Sequence, residues 1–390
     1  MISLLNTPEG VRDIYGDELR EMNALCDDLK KTIEEFGYEE IRTPSFEYFD
    51  VFSSERGTVP SKDIYKFIDR DGNTLVLRPD MTPQVARAAS TYYREKSMPI
   101  RLSYCGNTFI NNSGYQLRLK ETTQAGVEFF GDGSAAADAE ILALTVACLQ
   151  KAGLEKFQIE VGNAGFFRAI VNECELTGED EEELRRRIKN KNLFGVSEFL
   201  TERNISEESA KLLLTIPELF GSEEILDRAA SLTDNAAALA SLERLRELSG
   251  YLKEYGVDRY VSFDLGMLSK YRYYTGIIFR AITYGTGEAV ASGGRYDTLA
   301  EQFGKPMPAI GMSITVDTLM IALERQNLTK NNEAAKQYVL YSEGKASEAI
   351  RFAAGKRSEG CSVALIPVTE ENASEIASKL QTEGAAVWNI

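Results

Sequence analysis

One stretch, Arg101–Gly131, constrains the fold of this chain more than any other. Two segments within it, Arg101–Phe109 and Glu121–Phe130, are rich in Leu, Tyr, Phe, Thr and Val, which suit a pleated sheet. The residues between them include an Asn-Asn-Ser-Gly run at 111–114, which is typical of a turn or loop. We therefore expect two long antiparallel strands joined by a loop.

The second of these strands carries two polar residues, Gln124 and Glu128, four positions apart. Because side chains alternate between the two faces of a strand, both residues project from the same face. One amide and one carboxylate on one face can bind a small polar ligand. The alternative is an ordinary hairpin whose polar face meets water.

Composition narrows the class of protein. A chain of 390 residues predicts two or three domains, and 43% hydrophobic with 27% charged residues is typical of a soluble globular protein. We expect no membrane span, no secretory signal and a cytoplasmic location, because long apolar runs are missing and the five cysteines are scattered. A net charge of −16 disfavours binding to a phosphate backbone.

The chain contains no histidine. This excludes Ser-His and Cys-His nucleophile pairs and HExxH zinc sites, and it removes the commonest general base near neutral pH. We expect no metal site and no cofactor. The absence of histidine can arise by chance. The alternative is that the protein has to be made when histidine is scarce.

The first eighty residues predict a long helix, a strand and a hairpin. Asp17 is the expected N-cap of a helix that runs to about Phe36, and Tyr38–Thr43 is expected to be a strand. The Asp-Gly-Asn run at 71–73 predicts the hairpin. Thr82 then fits the N-cap of an alanine-rich helix. Asp80 either caps this helix or receives the ammonium group of a ligand.

Later segments predict a core with an insertion and a small second domain. Ala135–Ala152 reads as a buried helix, and Phe166 to about Tyr255 reads as helical throughout. Strands are expected again from Tyr260, with Tyr271–Thr283 and Glu288–Ser292 among them. The expected domains are a core at 1–325 with a helical insertion at about 170–255, a linker at 326–336, and an α/β domain with parallel strands at 337–390.

Six motifs in this order give the chain a resemblance to a known family. They are TPEGVRDI, LRPDMT, TQAGVEFFG, YRYYTGIIF, SGGRYD and PAIGMSITVDTL. Over nearly its whole length the chain resembles the histidyl-tRNA synthetases. It resembles more closely their paralogues, the regulatory subunits of ATP phosphoribosyltransferase. The resemblance implies an α+β fold of the class II synthetase type: an antiparallel sheet flanked by helices, with a helical insertion and a small C-terminal α/β domain.

The chain departs from the synthetases where the resemblance places arginines that stabilise phosphoryl or carboxyl charge. Ile110, Ser269 and Thr318 occupy those positions. Loss of one preorganised donor typically costs roughly 2.7–4 kcal/mol. We therefore expect no aminoacyl-adenylate chemistry and no catalytic residue. The alternative is that Arg118 or Lys270 substitutes for the missing cations.

The resemblance also implies an amino-acid pocket. Its ligand would be histidine, with the ammonium group on one side, the imidazole on another and the carboxylate near Arg118. The implied residues are Asp80, Thr82 and Gln124 for the ammonium, Glu128 and Tyr274 for the imidazole, Tyr273 packing beside them, and Arg118 for the carboxylate.

Taken together, the resemblance implies a non-catalytic regulatory subunit. It would form a homodimeric core, assemble with a short-form catalytic subunit of ATP phosphoribosyltransferase and respond to histidine. The C-terminal segment resembles a shortened anticodon-binding domain with five basic against seven acidic residues, so we expect no tRNA binding. The alternatives are an active histidyl-tRNA synthetase and a free amino-acid sensor with another partner.

Overall fold

The chain divides into two compact units, Met1–Thr329 and Lys330–Ile390. The computed structural model describes residues 5–52, 59–95, 99–112, 119–268, 273–329, 337–382 and 384–390. Within these residues, no helix is both long enough and apolar enough to cross a membrane.

The first unit combines helices with two sheets. Its helices are α1 (Gly16–Glu35), α2 (Thr82–Tyr92), α3 (Ala135–Ala152), α4 (Ala164–Glu173), α5 (Glu179–Lys189), α6 (Leu193–Glu202), α7 (Glu207–Thr215), α8 (Glu224–Ala230), α9 (Ala236–Glu254) and α10 (Val316–Arg325). Its strands are β1 (Glu39–Glu40), β2 (Phe46–Tyr48), β3 (Lys66–Ile68), β4 (Thr74–Leu77), β5 (Ile100–Phe109), β6 (Glu121–Phe130), β7 (Gln158–Asn163), β8 (Phe220–Gly221), β9 (Val261–Asp264), β10 (Ile277–Ile282), β11 (Ala291–Arg295) and β12 (Ala309–Thr315).

The large sheet is mainly antiparallel. Among the described residues it contains nine strands in the order β1-β5-β6-β12-β11-β10-β7-β9-β8. Only the β1–β5 and β7–β9 pairs are parallel within it. The predicted hairpin is confirmed, since β5 pairs antiparallel with β6 over their whole length, from Ile100 opposite Phe130 to Phe109 opposite Glu121.

Strand alternation gives the two faces of β6 different neighbours. Ala125, Val127 and Phe129 point into the main core, where α1 and α3 also bury their apolar residues. The residues between them point to the opposite face, where Phe130 packs with Met81 at the start of α2. Glu128 lies on this second face, so a charged residue is buried where the sheet meets α2.

Helix α3 has the bounds that the sequence predicts. It is buried on most sides between α1, α9 and β12. Ser134 caps its first turn by accepting a hydrogen bond from the Ala137 amide, and Gly153 ends it in the left-handed conformation with φ of +95°. Small alanines allow this close packing.

Several local predictions are wrong. The segment 166–255 is not helical throughout, because Phe220–Gly221 forms β8 and pairs with β9 at the edge of the large sheet. The strand expected at Tyr38–Thr43 contains only the two residues of β1. Helix α1 begins at Gly16 with Tyr15 as its N-cap, so Asp17 lies in the first turn instead.

Other predicted strands differ in their bounds. The strand expected at Tyr271–Thr283 begins at Ile277, and residues 271–272 lie outside the described residues. The glycines of the SGGRYD motif lie within β11 rather than after a strand. The hairpin of β3 and β4 is confirmed, with Asn73 and Asp71 donating main-chain hydrogen bonds to the Asp69 carboxylate at its turn.

The second unit alternates strands and helices. Its elements are β13 (Gln337–Tyr341), α11 (Ala346–Ser358), β14 (Val363–Pro367), α12 (Ala373–Thr382) and β15 (Ala386–Asn389). Strand β13 is central and pairs parallel with both neighbours, as the alternating pattern predicts. Its small core contains Val339, Ala349 and Ala353, with the ring of Trp388 packed against Phe352.

Candidate functional site

The candidate site centres on the carboxyl group of Glu128, which is 1% exposed. The Thr82 hydroxyl donates to Oε1 at 2.6 Å, and the Tyr104 hydroxyl donates to the same oxygen at 3.4 Å. The Tyr296 hydroxyl donates to Oε2. Three hydroxyl groups from α2, β5 and the residue after β11 therefore hold one buried carboxyl group in place.

Two glycines make room for this arrangement. Gly311 lies opposite Glu128 on β12, and a Cβ atom there would collide with Oε2. Gly126 lies opposite Tyr104 on β6, and a Cβ atom there would lie 2.5 Å from the tyrosine hydroxyl oxygen. Any larger residue at either position would displace the groups that define the site.

The electrostatics of the site are set by burial. Burial raises the pKa of Glu128 to about 8, the Thr82 and Tyr296 hydroxyls lower it, and the nearby Asp80 charge raises it. Burial also raises the pKa of Tyr104 and Tyr296 well above the usual value for tyrosine. Both tyrosines therefore remain protonated donors, while Glu128 can gain or lose a proton near neutral pH.

Asp80 and Thr82 lie at the start of α2. Asp80 Oδ1 accepts hydrogen bonds from the amides of Met81 at 2.7 Å and Thr82 at 3.3 Å. The expected N-cap is wrong: Met81 takes that position, and Thr82 is the first residue of the helix. The Thr82 side chain is therefore directed to Glu128, and Asp80 performs the capping chemistry that was one of its two predicted roles.

Two tyrosines form a wall of the site. The rings of Tyr273 and Tyr274 lie 4.6 Å apart, and Tyr273 also contacts the edge of Tyr296 at 5.8 Å. Arg168 from α4 donates to the Tyr274 carbonyl at 2.8 Å. Gly294 leaves space for the Tyr274 ring, since a Cβ atom there would lie 2.7 Å from the ring.

Gln124 lies four residues before Glu128 on the same face of β6, as expected. Its backbone is opposite Gly106 on β5. Its side-chain oxygen Oε1 is buried and accepts no hydrogen bond in the described structure. A ligand with an N–H group would satisfy this atom.

Sequence reasoning assigned no role to three residues that complete the site: Tyr104, Tyr296 and Arg78. Arg78 is 5% exposed and lies over Gly106, with Nη2 placed 2.6 Å from the position of a Cβ atom on that glycine. Alternation along β5 puts Tyr104 and Gly106 on the face of Glu128, which is a usable sequence signal. The contribution of Tyr296 arises from tertiary folding alone.

The remaining expected positions are distributed as follows. Ile110 follows β5, and its amide donates to the Lys120 carbonyl at 2.8 Å. Thr318 lies in the first turn of α10. Arg118, Ser269 and Lys270 fall outside the described residues. No cluster of metal-ligating side chains occurs among the residues that are described.

A separate cavity of about 260 Å³ lies at the opposite face of the same hairpin. Its lining includes Arg12, Asn107, Glu121 and Asp317. The Asp317 carboxylate accepts a hydrogen bond from the Thr123 amide at 2.7 Å, and Glu121 accepts one from Asn107 at 2.6 Å. Its acidic groups therefore have partners within the fold.

Comparison with known proteins identifies the family. The family model for histidyl-tRNA synthetase matches residues 10–319. The regulatory subunit of ATP phosphoribosyltransferase from Acetivibrio thermocellus is 40% identical, with 92% of this chain and 85% of that protein aligned. The protein of the same name from Clostridium acetobutylicum is 39% identical over 90% of this chain and 88% of its own length.

The chain belongs to the family of ATP phosphoribosyltransferase regulatory subunits. A solved member, described as an ATP phosphoribosyltransferase regulatory subunit/histidyl-tRNA synthetase from Bacillus halodurans C, superposes with a TM-score of 0.87 at 30% identity, covering 100% of both chains. A histidyl-tRNA synthetase from Nostoc sp. PCC 7120 has a TM-score of 0.78 at 20% identity over 98% of this chain and 90% of its own. The predicted family and the class II synthetase fold are confirmed.

Proposed function

We propose that this chain is a non-catalytic regulatory subunit of ATP phosphoribosyltransferase in histidine biosynthesis. A short-form catalytic subunit would require it for activity, and histidine would bind it to give feedback inhibition. One combination of features supports this proposal. The buried carboxyl group of Glu128 is held by three hydroxyl groups, and uncharged residues, Ile110 and Thr318, stand where the family resemblance places phosphate-binding arginines.

The chemistry of the site suits histidine. A carboxylate offers about four acceptor positions, and three of those on Glu128 receive hydroxyl groups. We propose that the fourth accepts an imidazole N–H group when Glu128 is ionised. Gln124 Oε1 and Asp80 would accept hydrogen bonds from the ligand's ammonium group. Hydrogen bonds to charged groups contribute roughly 1.5–3 kcal/mol each, which supports a micromolar site.

The same site is poorly suited to activating an amino acid with ATP. Neither Ile110 nor Thr318 can neutralise a phosphate, and Ser269 stands at the third arginine position in the sequence. We therefore propose that the chain has no aminoacyl-adenylate chemistry and needs no cofactor.

Charge and composition support the proposed assembly. The net charge of −16, with five basic against seven acidic residues in 337–390, disfavours tRNA binding. We propose a cytoplasmic hetero-oligomer in which this chain forms a homodimeric core and contacts the short-form catalytic subunit. The three proposed domains are a core at 1–325, a linker at 326–336 and a shortened anticodon-binding-like domain at 337–390.

Reconstitution with the short catalytic subunit from the same organism tests this function. Formation of phosphoribosyl-ATP is expected to require this chain and to decrease when histidine is added. Glu128→Gln is expected to raise the histidine concentration for half-inhibition by at least about tenfold, equivalent to about 1.4 kcal/mol, while leaving activity without histidine unchanged. Glu301→Gln, at an exposed position of the same unit, is the matched control.

Two results would contradict the proposal. Histidine-dependent exchange of pyrophosphate into ATP by this chain would identify an active histidyl-tRNA synthetase. A catalytic subunit whose activity is independent of this chain would favour the other alternative, an amino-acid sensor that acts on a different partner.

A further inference from the structure

Among the residues that the structure describes, Arg78 is a buried cation without an anionic partner. The described residues include two arginines that are almost completely buried, Arg78 and Arg295. Arg295 pairs with Asp138 at 2.6 Å. In the described part of the chain, every carboxylate oxygen is more than 4.0 Å from the guanidinium nitrogens of Arg78, which is too far for an ion pair.

The hydrogen bonds that Arg78 makes to other described residues go to neutral oxygens. Nε donates to the Asn107 carbonyl at 2.6 Å, and Nη1 donates to the carbonyls of Thr43 at 2.9 Å and Pro44 at 3.3 Å. The Thr43 hydroxyl accepts a longer bond at 3.4 Å. Carbonyl dipoles compensate a buried charge only in part, and burial accordingly lowers the pKa of Arg78.

The remaining nitrogen, Nη2, lies on the same face of the sheet as the candidate site. It lies over Gly106, on the face of β5 that also carries Tyr104. Gly106 is opposite Gln124, and side chains opposite each other in a sheet are separated by roughly 4.5–5.5 Å between Cβ atoms. The guanidinium of Arg78 therefore lies at the position paired with Gln124, whose buried Oε1 lacks a donor in the described structure.

A cation beside an acceptor without a donor fits the two ends of a zwitterion. We propose that Arg78 Nη2 binds the α-carboxylate of the amino-acid ligand, while Gln124 Oε1 accepts a hydrogen bond from its ammonium group. This inference rests on the proposed histidine site and assigns the part of it that faces the carboxylate. The role implied for Arg118 by the family resemblance would then fall to a residue inside the fold.

A pair of ligands tests the assignment. Histidinol has a hydroxymethyl group where histidine has a carboxylate, and the two otherwise share ammonium and imidazole groups. Isothermal titration of the full chain, alone and with the catalytic subunit, gives the ratio of the two dissociation constants. We expect the wild-type protein to bind histidine at least about tenfold more tightly than histidinol, because hydrogen bonds to charged groups are strong.

Variants at Arg78 separate binding from structural support. Arg78→Gln is expected to weaken histidine binding about tenfold or more and leave histidinol binding nearly unchanged, so that the ratio approaches one. Arg78→Lys, which keeps the charge, is expected to retain most of the preference. Arg87→Gln is the matched control, because Arg87 is an arginine of the same unit that pairs with Glu47 at 2.9 Å.

Three outcomes would overturn the assignment or its basis. Equal weakening of both ligands by Arg78→Gln would show that Arg78 only supports the fold. Equal affinity of the wild-type protein for both ligands would exclude a carboxylate-binding cation without any variant. As a control, Glu128→Gln is expected to weaken the binding of histidine and of histidinol equally, since both ligands have an imidazole. If the wild-type protein binds neither ligand, the proposed function itself is wrong.

Discussion

At the scale of single residues, Glu128 is subject to two effects that shift its pKa in opposite directions. It is almost fully buried, which disfavours its charge, and it accepts hydrogen bonds from Thr82, Tyr104 and Tyr296, which favour that charge. Burial is the larger influence on its pKa. The residue is therefore held in a fixed position while its protonation state stays sensitive to ligands and to pH.

The pH dependence of stability follows from this pKa. The folded chain keeps a proton on Glu128 up to about pH 8, whereas the unfolded chain loses it near the ordinary value of 4.5. The free energy of unfolding should therefore decrease as the pH rises from about 4.5 to about 8, by at most about 1.4 kcal/mol per pH unit. Glu128→Gln should remove this part of the slope in urea unfolding followed by circular dichroism. An unchanged slope would contradict the buried, protonated state, and Glu301→Gln serves as the control.

Sequence reasoning reached part of the site and stopped for a physical reason. Gln124 and Glu128 were placed on one face because strand alternation is a local rule. The contact between Thr82 and Glu128 spans 46 positions, and the contact between Tyr296 and Glu128 spans 168. Those contacts depend on how α2 packs onto the sheet and on where β11 lies within it. The family resemblance pointed to Thr82, but it did not indicate the hydroxyl groups that surround the carboxyl group.

At the scale of elements, sequence rules succeeded where the determinants are local. The bounds of α3 and the β5–β6 pairing follow from a capping serine, a terminal glycine and alternating side chains. The sequence rules failed for β8, because its two residues form a strand only through their pairing with β9. They also failed at α2, where Thr82 forms a hydrogen bond with a distant carboxyl group instead of capping its own helix.

A buried ion cluster ties α3 to α9 and to β11. Asp138 of α3 pairs with Arg295 at 2.6 Å and with Arg244 of α9 at 2.7 Å. Asp138→Ala should lower the free energy of unfolding by about 3–5 kcal/mol, because it removes the fully buried anion and leaves Arg295 with the partly exposed Asp297, at 3.1 Å, as its remaining described ion-pair partner. Arg244→Gln should cost less, since the Arg244 side chain is 24% exposed and can be hydrated. Urea unfolding of both variants checks this order, and equal losses would contradict it.

At the scale of the whole molecule, all described site residues belong to the first compact unit. A chain that ends at Thr329 should therefore fold and bind histidine with a dissociation constant within about twofold of the full chain, a difference of less than about 0.5 kcal/mol. Circular dichroism and titration calorimetry test this, with Glu128→Gln in the same fragment as the control. Loss of binding in a folded fragment would mean that residues 330–390 contribute to the site.

The close approach of Glu128 to Gly311, and of Tyr274 to Gly294, has a consequence for how this site can diversify. The floor of the site is main chain, and at these positions any added side-chain atom collides with a group that the site needs. Few substitutions can therefore be accepted at these glycine positions. A change in ligand preference has to come from side chains around the glycines, such as Tyr273 and Gln124. Substitutions at Gly311 and Gly294 should accordingly be tolerated less well than substitutions of the side chains around them.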